Sequence, residues 1–199
     1  MGGYTFKTSD LEACSDYPCA VLVCSPEGCI VSGTSEDLVM LYETSIIPLV
    51  YGDFDVTIKI DNWSLIEDYN VVQVEQNTLI FDGEYYTKFR TDEHLETRLP
   101  KNEYVAKFPQ KLEEYSGKVV IHRICNKLMI HLKDDDVTMV IPHVYTNSEE
   151  TFSVTIHSEF IREYVNGEYL KMYFENDFPV CIEDYPHRVY IAPCTEIKN

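Results

Sequence analysis

The sequence predicts an α+β protein: two similar domains of antiparallel sheet, each with short helices packed on one face. Three observations carry this expectation. The chain repeats itself. Phe54-Asp55-Val56-Thr57-Ile58 returns as Phe152-Ser153-Val154-Thr155-Ile156 (152 − 54 = 98), and Cys29-Ile30-Val31 with Ser35 to Leu41 returns as Leu128-Met129-Ile130 with Asp134 to Val140 (134 − 35 = 99). The shift is close to half of the 199 residues, and a repeat sets the architecture before any chemistry is read. Chance is the competing reading, since V-T-I strings are common in β proteins. The second observation is period-two alternation, cleanest from Asp53 to Ile60, where Phe54, Val56, Ile58 and Ile60 face one way. The third is that every helical stretch is too short to stand alone, so each must lay its apolar stripe on a sheet.

In order along the chain, Val21 to Val23, Ile30 to Val31 and Leu38 to Tyr42 read as short strands. Ser25-Pro26-Glu27-Gly28 and Gly33-Thr34-Ser35 break them. After Ile60, Asp61 or Asn62 is placed to cap a helix whose stripe is Trp63, Ile66 and Tyr69. Strand character returns at Val72, Val74 and Leu79 to Phe81, and Asp82-Gly83 ends it. A polar stretch from Arg90 to Glu103 reads as the linker, giving domains at 1–89 and 104–199. In the second half, Pro109 suits the first position of a helix carrying Leu112 and Tyr115, with Gly117 as its stop. Lys118 to Ile124 and Lys127 to Leu132 form an expected hairpin around Cys125-Asn126, and Val137 to Ile141 follows the turn Lys133 to Asp136. Beyond Phe152 to Ile156 comes a helix with Phe160, Ile161, Tyr164 and Val165 on its apolar face, stopped by Asn166-Gly167. Strands at Tyr169 to Phe174, Val180 to Glu183 and Val189 to Ile191 complete the reading.

Charge and cysteine usage narrow the function. The net charge is −18, which repels nucleic acid and anionic membrane except at a local basic patch. Ten of the sixteen Lys and Arg lie between Lys88 and Lys133. Seven cysteines, an odd number mostly on apolar segments, read as reduced and buried thiols. With no signal-peptide pattern at Met1 to Phe6, an intracellular, reducing location is expected, cytoplasm or nucleus. No apolar run reaches the roughly 18 residues of a spanning helix.

Catalytic motifs are missing: the chain holds no phosphate loop, dinucleotide fingerprint, nucleophile elbow or zinc-protease helix. No enzymatic activity, cofactor or metal is therefore expected. Cys14, Cys19, Cys24 and Cys29 recur every five residues. Zinc pairs stand closer, and a five-residue step along one strand puts successive thiols on opposite faces. Asp134-Asp135-Asp136 lacks the spaced ligands of a calcium loop and reads as a solvated turn. Opposite the helical stripes stand Asp61, Glu67, Asp68, Lys111, Glu113, Glu114, Glu159, Arg162 and Glu163, two positive against seven negative.

The final segment, Pro186-His187-Arg188-Val189-Tyr190-Ile191-Ala192-Pro193-Cys194-Thr195-Glu196, resembles the last strand and tail of the DNA sliding clamps of the proliferating cell nuclear antigen type. Asn176 to Glu183 is similar to the family's preceding strand, and Leu99 to Pro109 to the end of its interdomain connector with the strand that follows. Trp63 to Ile66 and Phe160 to Tyr164 take the places of two channel helices. The resemblance implies two clamp domains per subunit and a homotrimeric ring of six domains around duplex DNA, bound without regard to sequence. A clamp loader and a DNA polymerase, with other replication proteins carrying a short clamp-binding motif, are the implied partners. Their pocket would fall here on Leu95, Leu99, Pro179, Tyr190, Ala192 and Pro193, and the DNA-facing cations on Lys111, Lys118 and Arg162. The chain is shorter than typical members, a size that suggests a virus, phage or plasmid, and only Thr8 to Asp16 remains for the first helix. Its helix faces are acidic where the family's are basic. The alternative reading keeps the clamp fold and partner pocket in an interaction module, a regulator of replication or transcription, that does not encircle DNA.

Overall fold

The computed structural model describes residues 2–37, 39–60, 63–88 and 98–194. The chain divides into two compact units, Met1–Thr97 and Arg98–Asn199. In the first, β1 (Tyr4–Lys7) leads into α1 (Thr8–Leu11) and a 3₁₀ turn at Glu12–Cys14. There follow β2 (Cys19–Ser25), β3 (Gly28–Thr34), β4 (Met40–Ile46), β5 (Val56–Ile60), α2 (Trp63–Glu67), β6 (Val71–Glu75), β7 (Thr78–Phe81) and β8 (Tyr85–Lys88). One sheet runs β4-β3-β2-β5 and the other β1-β6-β7-β8, all antiparallel. Tyr4, Phe6, Leu22, Val31, Ile58, Val72, Val74 and Phe81 form the core of this unit. Their alternation along each strand gives every sheet one buried face.

The second unit repeats this plan. Its strands are β9 (Asn102–Ala106), β10 (Lys118–Ile124), β11 (Lys127–Leu132), β12 (Val137–Val140), β13 (His143–Thr146), β14 (Ser153–His157), β15 (Leu170–Phe174), β16 (Val180–Asp184) and β17 (His187–Ile191). The order β12-β11-β10-β14 matches β4-β3-β2-β5, and β9-β15-β16-β17 matches β1-β6-β7-β8, with β13 added beside β9. The duplicated plan expected from sequence is therefore present as topology.

Ladder registers are looser than the sequence repeat. Leu22 faces Val31 and Ile121 faces Ile130, each pair one shift of 99 apart (121 − 22 = 99). Ile58 faces Leu22, but its counterpart Ile156 faces Val119 rather than Ile121, a slide of two residues. Met139 faces Ile130, whereas Val31 faces Thr44 and not Met40, a slide of four. Even slides leave every side chain on its own face, so the core survives them; an odd slide would turn the strand inside out.

The expected hairpin forms with the boundaries read from sequence. Cys125 and Asn126 have φ of 49° and 62°, the two left-handed residues of a turn that matches strand twist. Pro109 is a correction. It lies extended ahead of a 3₁₀ turn, Gln110–Glu113, rather than inside an α-helix. The later helix is also 3₁₀, Ser158–Tyr164, with Ile161 and Val165 buried. Runs of 3₁₀ helix stay short because their hydrogen-bond geometry is poorer than that of an α-helix. In α2 the stripe is as read, with Ile66 buried and Trp63 and Tyr69 packed against the same core. Its expected caps, Asp61 and Asn62, lie outside the described residues, as do Leu38 and linker positions 90–97. The last two linker residues, Asn102 and Glu103, belong to β9. Strands β1, β8 and β13, four residues each, were not expected from the sequence.

Candidate partner-docking surface

Register alone gathers most of the expected pocket. Asn102 faces Phe174 and Val180 faces Ile191. The start of β9, the end of β15, the start of β16 and the end of β17 therefore share one end of the sheet. Leu99, Pro179, Ala192 and Pro193 sit just past these strand ends, and all four are half-buried. Period two then assigns the face. Pro179, Cys181 and Glu183 fall on the same side as Arg188, Tyr190 and Ala192, opposite the side on which Val180, Ile182, Val189 and Ile191 pack into the core. Tyr190 is brought to this surface but only 5% exposed. So placed, it offers a partner almost no surface. Leu95 lies outside the described residues.

A charged clasp fixes the approach to this surface. Arg98 donates from both terminal nitrogens to Glu175, at 2.7 and 3.1 Å. Lys101 adds an ion pair at 3.5 Å and a backbone N–H at 3.3 Å. The Arg98 guanidinium also stands 4.0 Å over the Phe178 ring. Its paired hydrogen bonds hold the Glu175 carboxyl below the usual carboxylate range. The segment carrying Leu99 is thus pinned against the β15–β16 turn from both sides. Sequence reading missed the clasp because Arg98 and Glu175 are 77 positions apart; no spacing rule links them. Further along the same face, Glu183 accepts from Arg188 at 3.0 Å and from the Tyr173 hydroxyl at 3.3 Å, with Lys171 at 3.5 Å. Burial pushes the Tyr173 hydroxyl up from its ordinary value, and the Glu183 charge adds to this.

Of the candidate DNA-facing cations, Lys111 and Arg162 lie on the 3₁₀ turns of the same unit, and Lys118 opens β10. Ser158 staples the turns together: its hydroxyl donates to the Tyr115 carbonyl at 2.9 Å and accepts from the Gly117 N–H at 3.1 Å. Arg162 donates to that carbonyl at 3.2 Å, so part of its hydrogen-bonding capacity is already used. Lys111 is exposed and Lys118 half-buried at the start of β10. Glu113, Glu114, Glu159 and Glu163 are all exposed on these turns. Four carboxylates therefore accompany three cations, and the local field opposes phosphate. Arg123 adds nothing outward. It is buried, holding the Ser148 carbonyl and, at 3.2 Å, the Asn126 side chain.

The cysteine reading needs correction at one place. Cys24 and Cys29 do not lie on opposite faces, because the Pro26-Glu27 turn intervenes and makes them direct partners across β2 and β3. Both are buried in the core of the first unit.

This duplicated arrangement is the fold of the DNA sliding clamps. The chain is similar to the A. fulgidus PCNA in complex with the C-terminal region of FEN-1, at 16% identity and a TM-score of 0.61, covering 100% of both chains. It is similar also to the Helicobacter pylori beta clamp bound to a DNA ligase peptide, at 10% identity and a TM-score of 0.65, covering 99% of this chain and 68% of that one. No protein-family model matches the sequence, and no curated protein matches it.

Proposed function

We propose that this chain is a DNA sliding clamp, a non-enzymatic processivity factor that closes around duplex DNA and tethers a polymerase and other replication proteins. The observation that carries the reading is the convergence of Leu99, Pro179, Ala192 and Pro193 at one sheet end beside the pinned Arg98–Lys101 segment. A small apolar surface ringed by charge suits a short peptide with apolar anchors. Of the two solved clamps above, one holds the C-terminal region of FEN-1 and the other a DNA ligase peptide. Tethering works through effective concentration: an enzyme that lets go of its primer is recaptured before it diffuses away. Ring closure has available edges, since β8 and β12 are end strands of their sheets among the described residues. Unlike edges meeting head to tail close a ring when the rotation fits; three copies and a loader that opens them complete the proposal.

The exposed Glu113, Glu114, Glu159 and Glu163 favour a second reading, a clamp-fold docking module that binds basic proteins and does not enclose DNA. Two measurements separate the two. Light scattering at several concentrations distinguishes a closed ring from a monomer. Retention on nicked circular duplex, lost when the circle is cut, is expected of an enclosing clamp. A monomer equally absent from circular and linear DNA would overturn the first reading and leave the second.

A further inference from the structure

We propose that Cys24 and Cys29 form an oxidisable dithiol site, one that reacts with a small hydroperoxide and closes a disulfide across the β2–β3 hairpin. The argument begins with register. The two residues are direct antiparallel partners. Such partners stand about 4.5–5.5 Å apart at Cα, inside the roughly 4.4–6.8 Å that a disulfide spans. Direct partners project to the same side of the sheet, and both side chains enter the core of the first unit, at 0% and 2% exposure. The two thiols shift each other's titration, and the Ser25 backbone bears on that of Cys29, as groups in close range do. No rearrangement of the ladder is needed to join them.

The Cys24 neighbour and the Ser25 backbone favour the Cys29 thiolate and lower its pKa, while the Cys29 neighbour and burial raise that of Cys24. With Cys29 attacking and Cys24 resolving, the same disulfide forms as with the roles exchanged. In the first step the Cys29 thiolate attacks a peroxide oxygen. The S–O bond forms, the O–O bond breaks, and hydroxide leaves, giving a sulfenic acid. In the second, the Cys24 sulfur attacks the Cys29 sulfur. The S–S bond forms, the S–O bond breaks, and the departing oxygen leaves as water with the Cys24 proton. Overall both sulfurs are oxidised and one hydrogen peroxide is reduced to two waters, the hydroxide taking up the proton of the original Cys29 thiol.

Access comes from the turn. Ser25 and Gly28 separate the pair from solvent by a single rung, and Pro26, Glu27 and Gly28 are exposed. Fraying of one rung opens the site without unfolding the sheet, and hydrogen peroxide is small enough to use that opening. Cys14, though buried in the same core, has no such partner across a ladder.

The experiment uses the full chain. The protein is treated with hydrogen peroxide, remaining thiols are blocked, and the unreduced material is cut by a protease specific for glutamate. Cleavage after Glu27 separates the two cysteines in sequence, so a peptide pair joined by a bond between Cys24 and Cys29, released by reductant, is the expected product. Cys24→Ala and Cys29→Ala should each abolish the pair, and Cys125→Ala should leave its yield unchanged. The mapping of unsubstituted protein stands even if a core variant fails to fold. The proposal is overturned if Cys24 and Cys29 remain blockable while exposed Cys125 is oxidised, or if either is found joined to another cysteine instead.

Discussion

Tyr104 shows how much one atom can decide. Its side chain is wholly buried among His143, Phe152 and Phe174, yet its hydroxyl meets no partner among the described residues. An unsatisfied buried hydroxyl costs about 1–3 kcal/mol. Tyr104→Phe should therefore raise stability by about 1 kcal/mol in urea unfolding, and a loss would show that the hydroxyl is satisfied by water. Ser158 is the opposite case. Its removal orphans the Gly117 N–H, since Arg162 still reaches the Tyr115 carbonyl. Ser158→Ala should cost about 1–3 kcal/mol by the same measurement. For Glu175 the sign follows from its depressed pKa. The contribution of the clasp is complete above the ordinary carboxylate value of about 4.3 and fades as pH falls through the lower folded value. Protection of the Lys101 amide, which donates to Glu175, should drop over that acid range. In Glu175→Gln the drop should vanish. Unchanged protection in the native chain across the range would refute the clasp.

At the scale of elements, the hairpin around Cys125-Asn126 was legible in full, because a two-residue turn and flanking alternation are both local signals. Cys125 nevertheless holds a left-handed conformation that costs an ordinary side chain about 1–2 kcal/mol. Glycine escapes that strain and loses some of the gain to its chain entropy. Cys125→Gly should leave the fold intact and raise the unfolding midpoint, by at most about 1 kcal/mol in free energy; a fall would mean that the thiol packs. Pro109 was read one position too far into its helix because a proline before a turn and a proline opening a helix have the same φ; only ψ distinguishes them, here 137°. The five-residue cysteine step misled for a related reason. Counting faces along one strand fails once a turn folds the count back on itself, which is how Cys24 came to face Cys29.

For the whole molecule, the decisive quantity is the sign of charge on the 3₁₀ turns of the second unit. Replacing Glu113, Glu114, Glu159 and Glu163 by Lys removes four repulsive charges and supplies four cations. Each phosphate newly neutralised steepens the salt dependence of duplex binding by about 0.9 in log–log slope. The quadruple variant should bind duplex DNA tightly at low salt, with a slope steeper by up to about 3.6, read by fluorescence anisotropy across a salt series. No change in slope would mean that these turns do not face the DNA. The order of amino acids alone carries the duplicated sheet plan, the buried face of most strands and the acidity of the helix faces. All three are written in local period, repeat distance and composition. It took the folded chain to show which rungs meet, that Tyr190 lies covered, that Arg98 clasps Glu175 and that Cys24 stands opposite Cys29. Those pairings depend on how far each strand slides before its core closes, and packing energy summed over a whole sheet, not any local preference, sets that distance.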